Sequence, residues 1–362
     1  MIIIAYIYLA FLGLRILILL SNLLWRPYLK NGGYFGNKTV SILIPARNEA
    51  SNLPLLLGKL LAQTYKPLEI IVYDDDSDDG TWEVLQSFSS LSKVIRPIKG
   101  GPLPEGWLGK NHACYQLSKH ALGDYLLFLD ADVRPHAVLI EKALAYVEIN
   151  KLKLLSLFPA QDMVSLGEKI TIPVMQNILL SLLSLPLVQK SQKPSLAAAN
   201  GQFMFFDAAV YKKIQPHAWV KNHPAEDIRI IRLYKKFHFK VTTLLGNQTI
   251  NCRMYHGYQE SLNGFSKNFL SFFGESPIFL FFFLFFTTFG WLFLFWLSPT
   301  QLFIGLLAII LLNLLQIIVA GRNFVHLILA PVQQINAWII AIYALFQSNN
   351  KSITWKKRII HH

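Results

Sequence analysis

The sequence predicts an α/β domain with a mostly parallel sheet, joined to transmembrane helices. From Ser276 to Gly321 and from Asn323 to Asn350 the chain contains no Asp, Glu, Lys or Arg, and apolar stretches of this length are typical of membrane spans. Between residues 39 and 275, apolar runs of strand length alternate with helical patterns and turn residues, as in α/β domains. A composition that is 53% hydrophobic and 15% charged excludes a disordered chain.

The first 25 residues predict a transmembrane anchor. They are apolar except for Arg15 and have neither a preceding basic segment nor a small-residue cleavage pattern, so a cleaved signal peptide is not expected. Arg26, Lys30 and Lys38 follow at once, and the positive-inside rule then places the next domain in the cytoplasm. We expect a multi-pass protein of the cell membrane with a cytoplasmic α/β domain.

The net charge indicates the expected binding partner of the protein, and the cysteine content indicates its compartment. The 34 Lys and Arg residues against 21 Asp and Glu give a net charge of +13, and the basic residues lie close to the hydrophobic spans. An anionic membrane surface is therefore the expected partner, rather than nucleic acid. Cys114 and Cys252 lie far apart in the chain, which excludes a disulfide framework and a cysteine zinc site and fits a reducing compartment.

Three strands and one helix outline the α/β domain. Thr39–Pro45, Leu68–Tyr73 and Asp124–Leu129 are near-continuous apolar runs, and Leu53–Gln63 has a helical pattern. Apolar strands separated by helices indicate a parallel sheet covered on both faces, and such sheets bind ligands at the carboxyl ends of their strands. The acidic residues that follow the second and third strands therefore mark the expected site.

The chain after the anchor divides into three parts. Residues 39–275 form the expected cytoplasmic domain with interfacial helices, residues 277–347 form the hydrophobic region, and residues 348–362 form a basic tail. Within the domain, Ile170–Val188 is apolar but contains two prolines and polar residues. We expect this segment to be a helix that lies in the membrane interface.

The hydrophobic region predicts two clear spans, at 278–297 and 302–320, and one ambiguous stretch, 324–346. In that stretch Pro331 is followed by polar residues. A full crossing would also leave the basic tail outside the cell, against the positive-inside rule. We therefore favour a broken or re-entrant helix over a full crossing.

The densest acidic cluster, Asp74-Asp75-Asp76-Ser77-Asp78-Asp79-Gly80-Thr81, follows the second strand. One interpretation is a solvated turn that caps the next helix. Another is a calcium loop, but Gln86 stands where the bidentate carboxylate belongs, and a strand precedes the cluster instead of a helix. A ligand site at the rim of the sheet is the third.

The triplet Asp130-Ala131-Asp132 follows the third strand. Alternate carboxylates at a strand end can share one divalent cation while a diphosphate supplies the remaining oxygen ligands. Two strands of one sheet then bring several carboxylates to one rim, where their repulsion is costly without a cation. We therefore expect this rim to bind Mn²⁺ or Mg²⁺ together with a phosphate-bearing ligand, because the cation would compensate the repulsion between the carboxylates.

Two further segments carry candidate charges. Gly109-Lys110 opens a predicted helix, although Pro104 and Asn111 stand where the P-loop pattern requires Gly and Ser or Thr. Lys110 at a helix amino terminus is still well placed to bind a phosphate. The pair Glu226-Asp227 begins another predicted helix, where acidic residues either stabilise the helix dipole or carry chemistry.

Four segments of the chain resemble the motifs of family 2 glycosyltransferases in their order and spacing. They are Ser41-Ile42-Leu43-Ile44-Pro45-Ala46-Arg47-Asn48-Glu49, the acidic run that ends in Ser77-Asp78-Asp79-Gly80-Thr81, Asp130-Ala131-Asp132 and Glu226-Asp227. The resemblance covers about residues 40–274. It implies an α/β nucleotide-sugar-binding domain of the GT-A type and an inverting transfer from a sugar nucleotide, with transmembrane helices added to that domain.

On matching positions, the resemblance implies a nucleotide-sugar site in the α/β domain. Pro45, Arg47 and Glu49 would line the nucleoside pocket. Asp75 would lie near the base, with Asp74 beside it. These assignments come from the family pattern and not from the spacing of the residues.

The resemblance also implies the catalytic and metal-binding groups. Asp132 corresponds to the metal ligand, and Asp130 to its neighbour towards the ribose and diphosphate. Asp227 corresponds to the general base, and Glu226 to the residue that orients it. An in-line displacement needs a metal on the leaving diphosphate and a carboxylate opposite to accept the acceptor's proton.

Other segments resemble the branch of the family that includes carotenoid-acid and hopanoid-associated glycosyltransferases. Among them are Leu103–Lys110, Ala199–Phe203, Arg253–Tyr255, Gly264–Asn268 and the tail Trp355–Arg358. On this resemblance the acceptor side is expected to contain Asn200, Gly201, Arg253 and Lys267.

The expected function is transfer of a single sugar from a nucleotide-sugar donor, UDP-glucose, to a lipid acceptor such as a carotenoid acid. No Gln-x-x-Arg-Trp segment follows Asp227, which argues against a processive polysaccharide synthase. Two alternatives stay open: glycosylation of a polyprenyl phosphate or a polysaccharide, and a membrane protein that binds nucleotide sugars without turnover.

Overall fold

The structure, a computed structural model, describes residues 1–29, 33, 36–247, 249–267, 269–349, 352–355 and 358–361. Lys30, Asn268 and much of the basic tail, including Lys356 and Lys357, lie outside the described residues. The chain divides into two compact units. The first, the helical unit, contains Met1–Arg26, Gln161–Pro186 and Met254–His362, and the second, the α/β unit, contains Pro27–Ala160 and Leu187–Arg253.

The strands of the described chain follow the apolar runs of the sequence. The three expected strands occur within one or two residues of their predicted bounds. The strands are β1 (Val40–Ala46), β2 (Glu69–Asp74), β3 (Ile95–Lys99), β4 (Tyr125–Leu129), β5 (Val133–Pro135), β6 (Leu154–Phe158), β7 (Ala160–Gln161), β8 (Phe203–Asp207), β9 (Val241–Leu245), β10 (Ile250–Cys252), β11 (Ser352–Trp355) and β12 (Arg358–His361).

The helices are α1 (Ile2–Trp25), α2 (Leu53–Leu61), α3 (Thr81–Leu91), α4 (Gly109–His120), α5 (Leu139–Asn150), α6 (Leu166–Leu182), α7 (Leu185–Lys190), α8 (Ala208–Ile214), α9 (Pro216–Trp219), α10 (Glu226–Lys236), α11 (Tyr258–Ser266), α12 (Pro277–Phe289), α13 (Pro299–Ala320) and α14 (Val325–Asn349). Two 3₁₀ helices, Leu270–Phe273 and Gly290–Trp296, accompany them.

The main sheet confirms the predicted α/β architecture. Its strand order over the described residues is β3-β2-β1-β4-β8-β6-β9. The pairs β1–β2, β1–β4, β2–β3 and β6–β9 are parallel, whereas β8 runs antiparallel to β4 and β6. Every residue of β2 and β4 is buried, as expected for strands covered on both faces. The carboxyl ends of β1, β2 and β4 therefore share one rim.

A small second sheet extends that rim. The short strand β5, which follows Asp132, pairs antiparallel with β10, so that Val133 lies opposite Cys252. This pairing brings the end of β10 beside the Asp130–Asp132 triplet, although more than a hundred residues separate them in the chain.

The helical unit contains four helical segments that are long and apolar enough to cross a membrane. Within the described residues they are Ile2–Trp25, Pro277–Trp296, Pro299–Ala320 and Val325–Phe346. They coincide with the four hydrophobic stretches of the sequence. Gln301 Nε2 donates a hydrogen bond to Tyr6 Oη over 3.1 Å, so the amino-terminal ends of α1 and α13 lie at the same end of this unit.

The prediction that the last hydrophobic stretch is broken near Pro331 is wrong, whereas its return to the cytoplasm stays a prediction. Helix α14 runs without interruption from Val325 to Asn349, with Pro331 inside it. The polar residues that suggested a break are hydrogen-bonded within the helical unit: Gln333 Nε2 donates to the carbonyl of Lys169 (2.9 Å), and Asn336 Nδ2 donates to Thr171 Oγ1 (3.0 Å). Because their partners belong to a distant part of the chain, the sequence alone could not show that these groups are satisfied.

Helix α6 occupies most of the segment that was expected in the membrane interface. It continues through Pro173 and buries one face, including Ile172 and Ile178, within the helical unit. Ser181 Oγ accepts hydrogen bonds from Nε and Nη2 of Arg15, at 3.2 and 3.1 Å. The single charged residue of α1 is thus buried against α6, while the interfacial position of α6 stays a prediction.

Candidate active site

The metal ligand expected from the family pattern, Asp132, lies at the carboxyl end of β4. Gln202 Nε2 donates a hydrogen bond to Asp132 Oδ2 over 3.2 Å. The other oxygen, Oδ1, is buried and accepts no hydrogen bond of ordinary geometry from the described residues. Burial, followed by the charges of Asp130 and Glu49, raises the pKa of Asp132 to about 7. The charge of Lys110 lowers this pKa but does not outweigh burial and the like charges.

The carboxylates at this rim fit a divalent cation that is shared with a substrate. Among the described residues, no group of three or more His, Cys, Asp or Glu side chains could hold a metal alone. Mg²⁺, by contrast, is commonly bound through one or two carboxylates while substrate phosphates and water complete its shell. The orphaned oxygen of Asp132, close to the charge of Asp130, provides this kind of incomplete ligand set.

Lys110 forms ion pairs with two carboxylates at this site. Its Nζ lies 2.9 Å from Asp130 Oδ1 and 3.1 Å from Glu226 Oε1. Burial would lower the pKa of Lys110, but the charges of Asp130 and Glu226 raise it well above its ordinary value. The expected phosphate contact stays a prediction, and the observed role of Lys110 is to join the end of β4 to the beginning of α10.

The acidic pair Glu226-Asp227 begins α10 as expected. Asp227 Oδ2 accepts a hydrogen bond from the amide of Gly201 (3.0 Å), and Oδ1 accepts one from the amide of Ile228 (2.7 Å). Desolvation by the surrounding protein, followed by the charge of Glu226, raises the pKa of Asp227 to about 7. A carboxyl group with this pKa can accept and release a proton near neutral pH. A carboxylate that only stabilises a helix dipole does not need a raised pKa, so this pKa favours a chemical role for Asp227.

Gly201 permits the close approach of these charged groups. A Cβ atom at this position would lie 2.9 Å from both Glu226 Oε1 and Lys110 Nζ. Asn200 shapes the same turn, since its Oδ1 accepts a hydrogen bond from the amide of Gln202 over 2.8 Å. Of the four expected acceptor-side residues, Asn200 and Gly201 thus lie in the turn that contacts Asp227. Gly201 offers its amide to Asp227, and Asn200 fixes the amide of Gln202.

The expected nucleoside side of the site is organised by Arg47. Its guanidinium donates to the carbonyl oxygens of Asp75 and, over 2.9 Å, of Asp76. Glu49 follows in the same turn, and its amide donates to Thr81 Oγ1 over 2.9 Å. Pro45 lies opposite Tyr73 in the register of β1 and β2. The segment after β1 and the acidic run after β2 are thus joined at one edge of the sheet.

The acidic run is more than a solvated turn. Asp74 and Asp75 are 1% and 2% exposed, and Asp74 Oδ1 accepts hydrogen bonds from the amide (3.2 Å) and hydroxyl of Ser77. Asp79 does act locally, because its Oδ1 accepts from the amide of Thr81 (3.1 Å) at the start of α3. Asp79 thus supplies one contact of the kind expected from a capping turn, although Gly80, the residue that precedes α3, provides no side-chain cap. Asp74 and Asp75 belong to the rim of the sheet.

Two residues at the metal side were not assigned from the sequence. Gln202 Nε2 contacts both Asp132 and, over 2.8 Å, the Sγ atom of Cys252. Burial, followed by the charge of Asp132, raises the pKa of Cys252. Gln202 lies in the Ala199–Phe203 segment that carries the resemblance, but the sequence gave it no role, and only the pairing of β5 with β10 brings Cys252 to Asp132. A thiol with a raised pKa stays protonated and inert at neutral pH.

The two remaining acceptor-side candidates, Arg253 and Lys267, belong to different units of the chain. Arg253 follows β10 directly, one residue after Cys252, and so lies at the edge of the rim. Lys267 belongs to the helical unit, at the end of α11. Burial lowers its pKa. The acceptor-side role of Lys267 stays a prediction.

Parallel strands that end in carboxylates, with the acidic pair of buried Glu226 and half-buried Asp227 on a facing helix, fit an α/β nucleotide-sugar-binding domain of the GT-A type. The fold agrees with a solved structure, a mannosyltransferase from Pyrobaculum calidifontis in complex with GDP-Man and Mn²⁺. The TM-score is 0.56 at 16% sequence identity, and the match covers 99% of each chain.

Residues 41–215 match the family described as Glycosyl transferase family 2. The matched part, just under half of the chain, confirms the resemblance for three of the four segments that carry it, and Glu226-Asp227 lies beyond the matched residues.

Curated relatives agree with the branch of the family indicated by the sequence. The chain is 27% identical over 234 residues to a 4,4'-diaponeurosporenoate glycosyltransferase of Staphylococcus haemolyticus, with coverage of 64% of this chain and 61% of the relative. It is 38% identical over 100 residues to the protein of that name from Staphylococcus aureus, where the match covers 27% of this chain and 25% of the relative. The chain thus spans less than two thirds of the length of these relatives.

Proposed function

We propose that the protein is a membrane-bound inverting glycosyltransferase that moves one sugar from a nucleotide-sugar donor to a lipid acceptor. The observation that carries this proposal is the contact of Lys110 with both Asp130 and Glu226. That contact joins a carboxylate on the expected diphosphate side to the acidic pair on the expected acceptor side. A sugar bound between them would have the leaving group and the proton acceptor on opposite sides, as a single displacement requires.

The donor side is assigned to β1, β2 and β4. Pro45, Arg47 and Glu49 would line the nucleoside pocket, with Asp74 and Asp75 beneath it. Arg47 is held by the backbone after β2, so its role is to keep the walls of this pocket together. UDP-glucose is our choice of donor.

Asp132 would hold a divalent cation, Mn²⁺ or Mg²⁺, at the diphosphate, with Asp130 beside it towards the ribose and diphosphate. When bound, such a cation neutralises charge on the leaving group. The protein's own part is to keep Asp132 oriented through Gln202 and to leave one of its oxygens without a protein donor. The raised pKa of Asp132 means that cation binding would displace a proton near neutral pH.

Asp227 is assigned as the group that receives or orients the acceptor. Its two oxygens are fixed by the amides of Gly201 and Ile228. A hydroxyl acceptor needs a base, and a carboxyl group with a pKa near 7 is half ionised at the pH where it would work. A carboxylic-acid acceptor arrives ionised because its ordinary pKa is near ~4, so it needs orientation rather than proton removal.

We infer that the acceptor is a lipid of the carotenoid-acid class. The names of the curated relatives support this choice, and four apolar helical segments would keep the enzyme where such a lipid dissolves. The catalytic domain (39–275) is assigned to the cytoplasm, where nucleotide sugars would be supplied. The anchor (1–25) and the hydrophobic region (277–347) are assigned to the membrane.

The test is transfer by the purified full chain. UDP-[¹⁴C]glucose and Mn²⁺ are supplied with a carotenoid acid in mixed micelles, and the products are extracted and analysed by mass spectrometry. A singly glucosylated carotenoid ester supports the proposal. Label in a polyprenyl phosphate or a polymer would instead assign another acceptor on the same fold. Binding of the donor without hydrolysis or transfer would show a protein that binds nucleotide sugars without turnover.

A further inference from the structure

One face of α10 presents a row of exposed cations. Arg229, Arg232 and Lys236 recur at intervals of three and four residues, which places them on the same side of the helix. The opposite side is buried in the α/β unit through residues that include Ile231 and Tyr234. Within the described residues none of the three cations forms an ion pair, so their charges face the solvent.

A buried lysine brings two more cations to α10. Nζ of Lys235, a residue with no exposed surface, donates hydrogen bonds to the carbonyl oxygens of Val188 and Ser191, each over 2.7 Å. These bonds fix the end of α7 and the turn after it against α10. The exposed residues Lys190 and Lys193 belong to this turn, so their charges add to those of the helix.

The segments that build this surface contain cations and no acidic residue. No Asp or Glu occurs between residues 187 and 206 or between residues 228 and 253. Exposed apolar side chains accompany the cations, since Leu187 is 43% exposed and Phe237, directly after α10, is 49% exposed. This combination is typical of proteins that bind anionic lipid surfaces, because cations attract the headgroups while apolar side chains enter the boundary beneath them.

We propose that this surface, here called the α10 basic surface, docks the α/β unit on an anionic phospholipid membrane. Its members are Arg229, Arg232, Lys236, Lys190, Lys193, Leu187 and Phe237. The same chain has four helical segments that are long and apolar enough to span a membrane. Since these segments keep the α/β unit tethered near lipid, the effective concentration of the membrane at this surface is high.

A membrane is a better match than nucleic acid for the α10 basic surface. Phosphate groups of either partner would attract the cations, but exposed Leu187 and Phe237 gain from contact with acyl chains. Docking would also hold α10, and with it Asp227 in the first turn, at a fixed distance from the lipid. The proposal is independent of the glycosyl transfer proposed above, because docking can be measured without donor or acceptor.

The test measures how close one side chain of this surface lies to lipid. Cys114 and Cys252 are buried, so the full chain with Phe237→Cys can be labelled at the new thiol with bimane. The labelled protein is placed, one copy per disc, in phosphatidylcholine nanodiscs with or without phosphatidylglycerol, and quenching by doxyl-labelled lipid is measured. Quenching is expected only with phosphatidylglycerol. It should be lost in about 1 M salt, where the screening length falls to about 3 Å.

A label on the far side of the α/β unit is the matched control. Leu91 ends α3 and is 78% exposed. Helix α3 contacts β3 at one edge of the main sheet, whereas α10 contacts β9 at the other edge. Bimane on Leu91→Cys should therefore escape quenching in every disc.

Neutral variants test the cations themselves. The combined change of Arg229→Gln, Arg232→Gln and Lys236→Gln should weaken docking about a hundredfold, since each cation near an anionic surface contributes about fivefold. Docking is followed as the quenched fraction over a series of phosphatidylglycerol contents. A second triple variant removes exposed lysines elsewhere in the α/β unit and should dock normally. Its changes are Lys66→Gln, Lys93→Gln and Lys119→Gln.

Four outcomes would overturn the proposal. They are equal quenching of the labels at Phe237→Cys and Leu91→Cys, equal quenching with and without phosphatidylglycerol, unchanged docking in the variant that lacks the three cations of α10, and absence of quenching in all discs. In detergent without lipid, shielding of the Phe237→Cys label from aqueous iodide as protein concentration rises would instead assign a second copy of the chain to this surface.

Discussion

Nζ of Lys110 lies 3.1 Å from Oε1 of Glu226 while it also contacts Asp130. This ion pair crosses from the first turn of α4 to the first turn of α10, and Gly201 leaves the space in which the two charged groups meet. The relationship makes Lys110 a positioning residue for both halves of the site.

Lys110→Met should lower turnover about 10²-fold, comparable to the loss of one preorganised electrostatic group. It should also move the acidic limb of the pH–rate profile to higher pH, because the charge of Lys110 lowers the pKa of Asp227. The measurement is the rate of donor hydrolysis from pH 5 to 9, a reaction in which the attacking water must lose a proton. Lys213→Met, which changes an exposed lysine, is the matched control. An acidic limb that does not move in Lys110→Met would contradict the positioning role.

Gly201→Ala should separate the ion pair without altering any charge. The added Cβ would lie 2.9 Å from both Lys110 Nζ and Glu226 Oε1, closer than ordinary contacts allow, so the side chains must move apart. We expect turnover to fall about 10²-fold, since small misplacements at a catalytic centre cost about that much. At Gly101 a Cβ would meet nothing within 4 Å, and Gly101→Ala should retain activity. Equal activities of the two variants would show that the contact is not needed.

Metal dependence should operate through Asp132. Asp132→Ala is expected to cost at least about 10²-fold in turnover, roughly 3 kcal/mol of barrier. Because burial and like charges raise the pKa of Asp132 to about 7, affinity for Mn²⁺ should weaken as the pH falls below 7. Isothermal titration with Mn²⁺ at pH 6 and pH 8 measures this directly. Glu83→Gln, which removes an exposed carboxylate on α3, should leave both readouts unchanged. Full activity in excess chelator would exclude a metal role.

Asp227→Asn should distinguish the two classes of acceptor. For a hydroxyl acceptor, loss of the base should lower the rate about 10²- to 10⁴-fold, comparable to the loss in Asp132→Ala. For a carboxylate acceptor the loss should be much smaller, because no proton has to be removed. We expect the carboxylate outcome.

The pH dependence gives the same distinction in the wild-type protein. Asp227 with a pKa of about 7 is protonated at lower pH and then cannot accept a proton, so a hydroxyl acceptor requires a rate that falls below pH 7. A comparison of the profiles of the wild-type protein and Asp227→Asn checks this. An acidic limb that disappears in Asp227→Asn, together with a loss as large as that of Asp132→Ala, would decide against the carboxylate acceptor.

Much of the fold could be predicted because its signals are local. Buried parallel strands such as Tyr125–Leu129 are nearly continuous apolar runs, and membrane-length helices are uncharged over about twenty residues. The carboxylates that follow β2 and β4 share a rim in any parallel sheet, so the strand ends alone predict where the candidate site lies. Residue roles at that rim required a family pattern, since a carboxylate on a strand end can serve several purposes.

Tertiary contacts decided what the local patterns could not. Pro331 and the amides after it favoured a broken helix, but Lys169 and Thr171 satisfy those amides and α14 stays continuous. The phosphate contact of Lys110 stays a prediction, and its ion pairs with Asp130 and Glu226, which other elements supply, could not be read from the sequence. A side chain's role depends on which groups surround it and how much water they exclude, and elements far apart in the chain provide both.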